Sequence, residues 1–355
     1  MKNQDHHIEC SVENGVGILT LNRPEAINAL TPYMIKTIRQ TLLDWRDDEG
    51  VRVVLFEGKG PRGFCAGGDV RWTRQMVLDG NRAQAFDFFA LEYDMNRIIA
   101  TYAKPIVALT HGVVMGGGLG LAGHARHRFT TQGSRFAMPE AAIGFFCDVG
   151  VRSLLAKVNR HQAMMFMLAG TLVSSADGVL LGLTDTIICD EGLAEMRAGI
   201  IAAGSAGDVE GEIGALETRF GIKREAGEFC HLADRFEKVF SPKSAEEIYE
   251  NLEEEISQGS ELAQMAGIIL SRCPTSNRVH VPALDAARQV PEITRVLEVD
   301  LRLAHILAKR ADFLEGVRAV LVDKDHAPNW QPVHILDVEG KAIDEALAQA
   351  NGKNK

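Results

Sequence analysis

Short apolar runs of β character alternate with stretches of helical period through about the first 190 residues, and that alternation leaves few architectures open. Gly15–Leu21 (GVGILTL) reads as a strand that stops at Asn22-Arg23-Pro24. Leu30–Trp45 follows at helical spacing, with Thr31 as its N-cap and Pro32 at the first helical position. Val51–Glu57 is a buried strand leading into the loop Gly58–Gly68, and Asp69–Arg74 starts another helix. A helix over 83–100 then precedes the strand Pro105–Thr110, and a Gly-rich turn leads into Leu119–Ala125. Strand-like Arg128–Thr131 and Ser134–Ala137, the loop Met138–Gly150 and one long helix over 151–168 complete the pattern. Strands separated by helices predict parallel β units with crossovers. Beyond about residue 190 the β signals stop, and Ala245–Ile256, Glu261–Leu270 and Pro291–Ala311 read as helices. The expected organisation is an α/β core over 1–220 and a mainly helical region over 221–355, with Ala202–Glu217 as the linker.

A formal net charge of −10 argues against a general nucleic-acid binder, whose affinity needs clustered Lys and Arg. The six cysteines are scattered and contain no CxxC pair, which fits neither a disulfide framework nor a zinc site. The opening residues hold no apolar core of a signal peptide, and no apolar run is long enough for a membrane span. The expectation is a cytoplasmic protein without membrane or nucleic-acid partners. His6, His7 and Cys10 are read as a disordered start rather than as metal ligands.

Three segments carry the chemical argument: Phe64–Asp69 (FCAGGD), His111–Gly120 (HGVVMGGGLG), and Phe136–Glu140 with Asp148 eight residues on. Taken singly, glycines after strands make turns, and an acid before a helix is an N-cap. Taken together they suit a thioester, whose carbonyl turns into an oxyanion or enolate when attacked or deprotonated. That charge needs pre-aimed backbone N–H donors, and the turns at Gly68 and Gly117 can supply one each. A carboxylate among Phe136, Met138, Ile143, Phe145 and Phe146 has its pKa raised toward acid–base range. Gly118–Gly123 also matches GxGxxG, but its mid-chain setting and the placement of Glu140 after Pro139 do not fit a dinucleotide fold.

Over about Gly15–Asp190 the chain resembles the enoyl-CoA hydratase/isomerase (crotonase) superfamily, through Leu21–Leu30 (LNRPEAINAL), FCAGGD, HGVVMGGGLGL and Phe136–Gly144 (FAMPEAAIG). The resemblance implies a spiral of ββα units, a coenzyme A site, and oxyanion-hole N–H groups at Gly68 and Gly117. It also implies that backbone around Glu25, Ala26 and Ile27, and from Ala66 to Val70, holds the adenine and pantetheine. Within the superfamily the chain is more similar to the 3-hydroxyisobutyryl-CoA hydrolases. Hydratases carry a first Glu at the position of Gly120 and a second at Glu140, and this chain keeps only the second. Glu92-Tyr93 resembles the hydrolases' EEY segment, and Glu315–Asp325 with Pro328-Asn329-Trp330 resembles a hydrolase hallmark.

The resemblance therefore implies hydrolysis of a short 3-hydroxyacyl-CoA, 3-hydroxyisobutyryl-CoA first, and a place in valine catabolism. Glu140 is the expected nucleophile or base, Asp148 the partner of the 3-hydroxyl or of water, and Glu92 a contact for the polar acyl end or a brace for Asp148. The C-terminal helices are expected to cover the acyl pocket, with Asp323, Lys324 and Asp325 structural. Neither metal nor cofactor is expected, coenzyme A being part of the substrate. A homo-oligomer stays open, as do an enoyl-CoA hydratase or isomerase and a non-catalytic coenzyme A-binding protein. Cys65 and Cys147 are read as buried fillers and His111 as structural. Two departures stand out: the hydrolases read Phe-Pro-Asp-Val-Gly-Gly where this chain has Phe146–Arg152 (FCDVGVR), and Asn277, His280 and Pro282 break the pattern after Pro274-Thr275-Ser276.

Overall fold

The computed structural model describes residues 6–348. Among the described residues ten strands form two sheets: β1 (Ile8–Glu13), β2 (Val16–Leu21), β3 (Val53–Gly58), β4 (Gly63–Cys65), β5 (Ile106–Thr110), β6 (Val113–Met115), β7 (His127–Thr131), β8 (Arg135–Ala137), β9 (Val173–Ser174) and β10 (Thr186–Ile188). The larger sheet runs β1-β2-β3-β5-β7-β10, and the smaller runs β4-β6-β8-β9. β2, β3, β5, β7 and β10 are mutually parallel, as the strand–helix alternation predicts. Inward residues on alternate positions (Val16 and Ile18, Val53 and Leu55, Val107 and Leu109) make one face of a core closed by Met196, Ile200, Val209 and Ile213.

Several local expectations need correction. Ile8–Glu13 is a strand antiparallel to β2, not a disordered start. Only Ile8 of it is buried, so this edge strand shows no apolar alternation. The supposed linker 202–217 is mostly helix: Leu193–Ala203 and Val209–Phe220 lie on the core sheet, the second capped by Asp208, which accepts from the Gly211 N–H. Interspersed Gly and Glu disguise its apolar stripe of Val209, Ile213 and Leu216. The long helix expected over 151–168 is two, Arg152–Leu155 and Arg160–Ala169. Thr31 does cap the first long helix, Pro32–Arg46, accepting from the Met34 N–H.

The chain divides into two compact units that are not consecutive in sequence. One comprises the residues up to Asp69, Asp94–Phe136 and Val173–Gly227; the other comprises Val70–Tyr93, Ala137–Leu172 and the chain from Glu228 on. The boundary read near 220 is thus only the last of several crossings. The second unit needs all three of its segments because the apolar faces of its C-terminal helices are completed by residues 70–93 and 137–172. No helix among the described residues is long and apolar enough to cross a membrane.

Candidate active site

In the first unit the two Gly turns adjoin. Leu30 forms a parallel bridge to Gly68: its N–H donates to the Gly67 carbonyl, and its own carbonyl accepts from the Asp69 N–H. In such a bridge the central residue turns its N–H away from the partner strand, so the Gly68 N–H faces the other side. Gly117 is the first residue of the short helix Gly117–Ala122, and a first-turn N–H has no partner within its own helix. A Cβ on Gly67 would lie 3.4 Å from the Gly117 nitrogen, and one on Gly118 would lie 2.7 Å from the Cys65 carbonyl oxygen. Only a glycine at 118 therefore lets the second turn come this close to the first.

The expected coenzyme A-binding backbone gathers beside these turns. The Ala66 N–H donates to the Ile27 carbonyl at 2.8 Å. Ile27 and Asn28 both have positive φ, and the fully buried Asn28 amide donates to the carbonyls of Lys59, Gly63 and Phe64. Arg62 donates to the Pro24 and Glu25 carbonyls, so Glu25, Ala26 and Ile27 are fixed by their main chain while the Glu25 side chain stays exposed. The His111 ring is 2.7 Å from the Gly60 carbonyl, which bears out its structural role. Val70 opens the helix Val70–Leu78, which is counted with the second unit.

The three carboxylates belong to the second unit. Glu140 lies in the 3-10 turn Pro139–Ile143, Asp148 in the loop after it, and Glu92 near the middle of the helix Arg82–Ala100. All three are buried. Oε2 of Glu140 and Oε1 of Glu92 have no hydrogen-bond partner among the described residues. Phe145 stacks on Phe89 with ring centroids 5.0 Å apart, and Phe146 and Phe313 flank it. In this apolar setting burial, then the Asp148 charge, pushes Glu140 and Glu92 well above the usual carboxylate range. Burial also raises Asp148, to about 7, while the Tyr93 hydroxyl bonded to it pulls the other way. At Asp148 this shift allows proton exchange near neutrality, as general acid–base work requires.

The turn that carries Asp148 is held from outside. Val149 has φ +48°, a costly conformation for a β-branched residue, and Gly150 follows at +73°. The Tyr93 hydroxyl donates to Asp148 Oδ2 at 2.6 Å. The Gly150 N–H donates to Asp300 at 2.8 Å, and Asp300 is ion-paired with the buried Arg152. The Cys147 N–H donates to His280 at 2.9 Å. Of these supports the sequence reading names Tyr93 only within a motif and gives Arg152, Asp300 and His280 no role. A signal for Asp300 exists: it stands on the apolar stripe of its helix, in line with Val296, Leu303 and Leu307.

The C-terminal segments pack on the Glu140 turn. The Cys273 N–H donates to the Ala141 carbonyl at 3.0 Å. A Cβ on Gly316 would sit 2.4 Å from the Ile143 carbonyl carbon, so the glycine of the EGVRAV motif is needed for that contact. Arg318 of the same motif pairs with Glu315, Asp323 and Asp325, which bears out the structural reading of the two aspartates.

A family model described as enoyl-CoA hydratase/isomerase matches residues 16–347. The mitochondrial 3-hydroxyisobutyryl-CoA hydrolase of Homo sapiens is 34% identical over 330 residues, 91% of this chain and 83% of that protein. Its Danio rerio counterpart is 32% identical over 342 residues, 95% of this chain and 88% of that one. A solved carnitinyl-CoA dehydratase from Mycobacterium thermoresistibile superposes with a TM-score of 0.87 at 30% identity, covering 96% of each chain. Both hydrolases are mitochondrial proteins and lend no support to the cytoplasmic location expected from the sequence.

Proposed function

The chain belongs to the enoyl-CoA hydratase/isomerase family, and on that premise we propose that it hydrolyses a short 3-hydroxyacyl-CoA, with 3-hydroxyisobutyryl-CoA as the leading substrate. The observation that carries this reading is the near full-length likeness to proteins named as hydrolases of that thioester. The unpartnered, buried Glu140 oxygen supports it, since a nucleophile must keep one lone pair for the substrate.

In this reading the thioester oxygen takes the N–H groups of Gly68 and Gly117, and these stabilise the negative charge that forms on attack. Glu140 attacks the carbonyl carbon, and the carbon–sulfur bond breaks with its electron pair on the coenzyme A thiolate. Water then splits the resulting acyl-glutamyl anhydride. In the second route Glu140 takes a proton from a water that attacks directly. Asp148 binds the 3-hydroxyl or positions that water, and Glu92 meets the polar acyl end. Backbone at Glu25–Ile27, Ala66 and Val70 holds the nucleotide and pantetheine, and no cofactor beyond the substrate's own coenzyme A takes part. Single turnover in ¹⁸O-water separates the routes: an anhydride opened at its glutamyl carbonyl leaves label on Glu140 and releases unlabelled acid, whereas direct attack of water labels the acid and leaves Glu140 unlabelled.

A second reading, addition or removal of water at an acyl-CoA double bond, draws on the name of the solved dehydratase. Free-thiol release from 3-hydroxyisobutyryl-CoA, abolished in Glu140→Gln while coenzyme A still binds, is the outcome expected of a hydrolase. Absence of thiol release with loss of the crotonyl-CoA enoyl absorbance would establish the second reading instead.

A further inference from the structure

Two departures from the hydrolase sequence pattern meet each other in the second unit. Where the pattern has proline, Cys147 has a main-chain N–H, and burial would leave that donor orphaned unless something accepted it. The acceptor is Nε2 of His280, at 2.9 Å, on the helix Pro274–Gln289. His280 is fully buried, and its Nδ1 has no hydrogen-bond partner among the described residues. A ring accepting at Nε2 is neutral and carries its proton on Nδ1. Burial, and the Arg152 charge after it, holds the His280 pKa near about 3, so it stays an acceptor throughout the neutral range. The chain thus keeps one buried N–H unpaired on the imidazole in order to pair another on the main chain.

That main-chain position matters because Asp148 is the next residue. Asp148 lies between two pinned amides, Cys147 on His280 and Gly150 on Asp300, and the intervening Val149 is held in a left-handed conformation. Proline at 147 would stiffen the entry to this turn by fixing its own φ. A cysteine there does not, and a hydrogen bond to a rigidly buried ring can do so instead.

We propose that His280 is a positioning residue for Asp148, fixing through the Cys147 amide the direction in which the Asp148 carboxylate is presented. The functional half of this inference rests on the hydrolase reading, in which Asp148 meets the 3-hydroxyl. His280 therefore sets discrimination for hydroxylated acyl groups rather than thioester cleavage as such.

The test compares His280→Leu, His280→Gln and the double variant Cys147→Pro/His280→Leu with wild type. Two quantities are read: kcat/KM for 3-hydroxyisobutyryl-CoA against isobutyryl-CoA, and hydrogen exchange at the Cys147 amide. His280→Leu is expected to lose roughly 10- to 100-fold on the hydroxylated substrate, the scale of misplacing a reacting group by an ångström, and to keep isobutyryl-CoA turnover within a few-fold. Glutamine places an acceptor oxygen near the Nε2 position and restores both slow exchange and discrimination. The double variant has neither donor nor acceptor and regains discrimination; it also stands in if His280→Leu does not fold. Equal losses on the two substrates, or a Gln variant as impaired as Leu, would overturn the proposal and leave His280 a packing residue. If wild type releases no thiol the hydrolase reading fails separately, and exchange at Cys147 decides alone: equal rates in Leu, Gln and wild type overturn the positioning role.

Discussion

The Tyr93 hydroxyl donates a 2.6 Å hydrogen bond to Oδ2 of Asp148, and both groups are buried among aromatic rings. That bond holds the Asp148 pKa below where burial alone would put it. Tyr93→Phe removes it without changing the shape of the wall. We expect the ascending limb of the hydrolysis pH profile to move up by about one unit, the worth of one hydrogen bond to a charged group. A profile with an unmoved midpoint would separate Asp148 from the rate.

The same carboxylates leave a mark on stability. Asp148 titrates near about 7 in the folded chain and in the ordinary carboxylate range when unfolded. Between those values the folded chain holds a proton that the unfolded chain has lost, so stability falls as pH rises from about 4 to about 7. Glu92 and Glu140, also raised, act in the same direction. Carboxyls held low, such as Glu315, oppose this only in more acid solution. Asp148→Asn should flatten the curve over that window and be more stable than wild type at pH 8 by on the order of 1–3 kcal/mol. Denaturant melts at several pH values check this.

Asp300 and Arg152 form a buried pair that also secures the Gly150 amide. Removing one partner leaves the other charge uncompensated, so Asp300→Ala should cost about 3–5 kcal/mol of stability. Replacing both with apolar residues of similar volume should cost much less in urea unfolding, because no buried charge then remains. Equal losses from the single and double changes would mean that the Gly150 contact, not the ion pair, dominates.

Gly118→Ala places a methyl group 2.7 Å from the Cys65 carbonyl oxygen, and main chain must move to admit it. Such overpacking typically costs about 1–3 kcal/mol. If Gly68 and Gly117 form the oxyanion hole, kcat should fall further than folding explains, by roughly 10²–10³, as when one donor is removed. Kinetics on the folded fraction, alongside coenzyme A affinity, distinguish a displaced donor from a damaged binding site.

The parallel sheet and the Gly turns were legible because both leave local marks: apolar runs of fixed length, and glycines where a side chain cannot fit. Ile8–Glu13 escaped because an exposed edge strand needs no apolar face, and Val209–Phe220 because Gly and Glu interrupt its stripe. Glu140, Asp148 and Glu92 could be named from motifs, and the apolar loop around Glu140 was legible too, but the packing of Phe89 and Phe313 on Phe145 was not, since they come from distant segments. His280 and Asp300 were the least legible. Their partners are main-chain amides, and an amide carries no residue-type signature in the sequence.

The hydrogen bond between Gly150 and Asp300 spans 150 residues of chain. During synthesis the N-terminal part emerges first. The turn bearing Asp148 therefore leaves the ribosome long before the carboxylate that restrains its Gly150 amide exists, and through that interval this tie on the turn is missing. The first unit, whose last segment ends at Gly227, can be complete by then. A nascent chain stalled before Asp300 would thus carry a finished β scaffold and an unset acidic cluster, so competence arrives late in translation rather than growing with length.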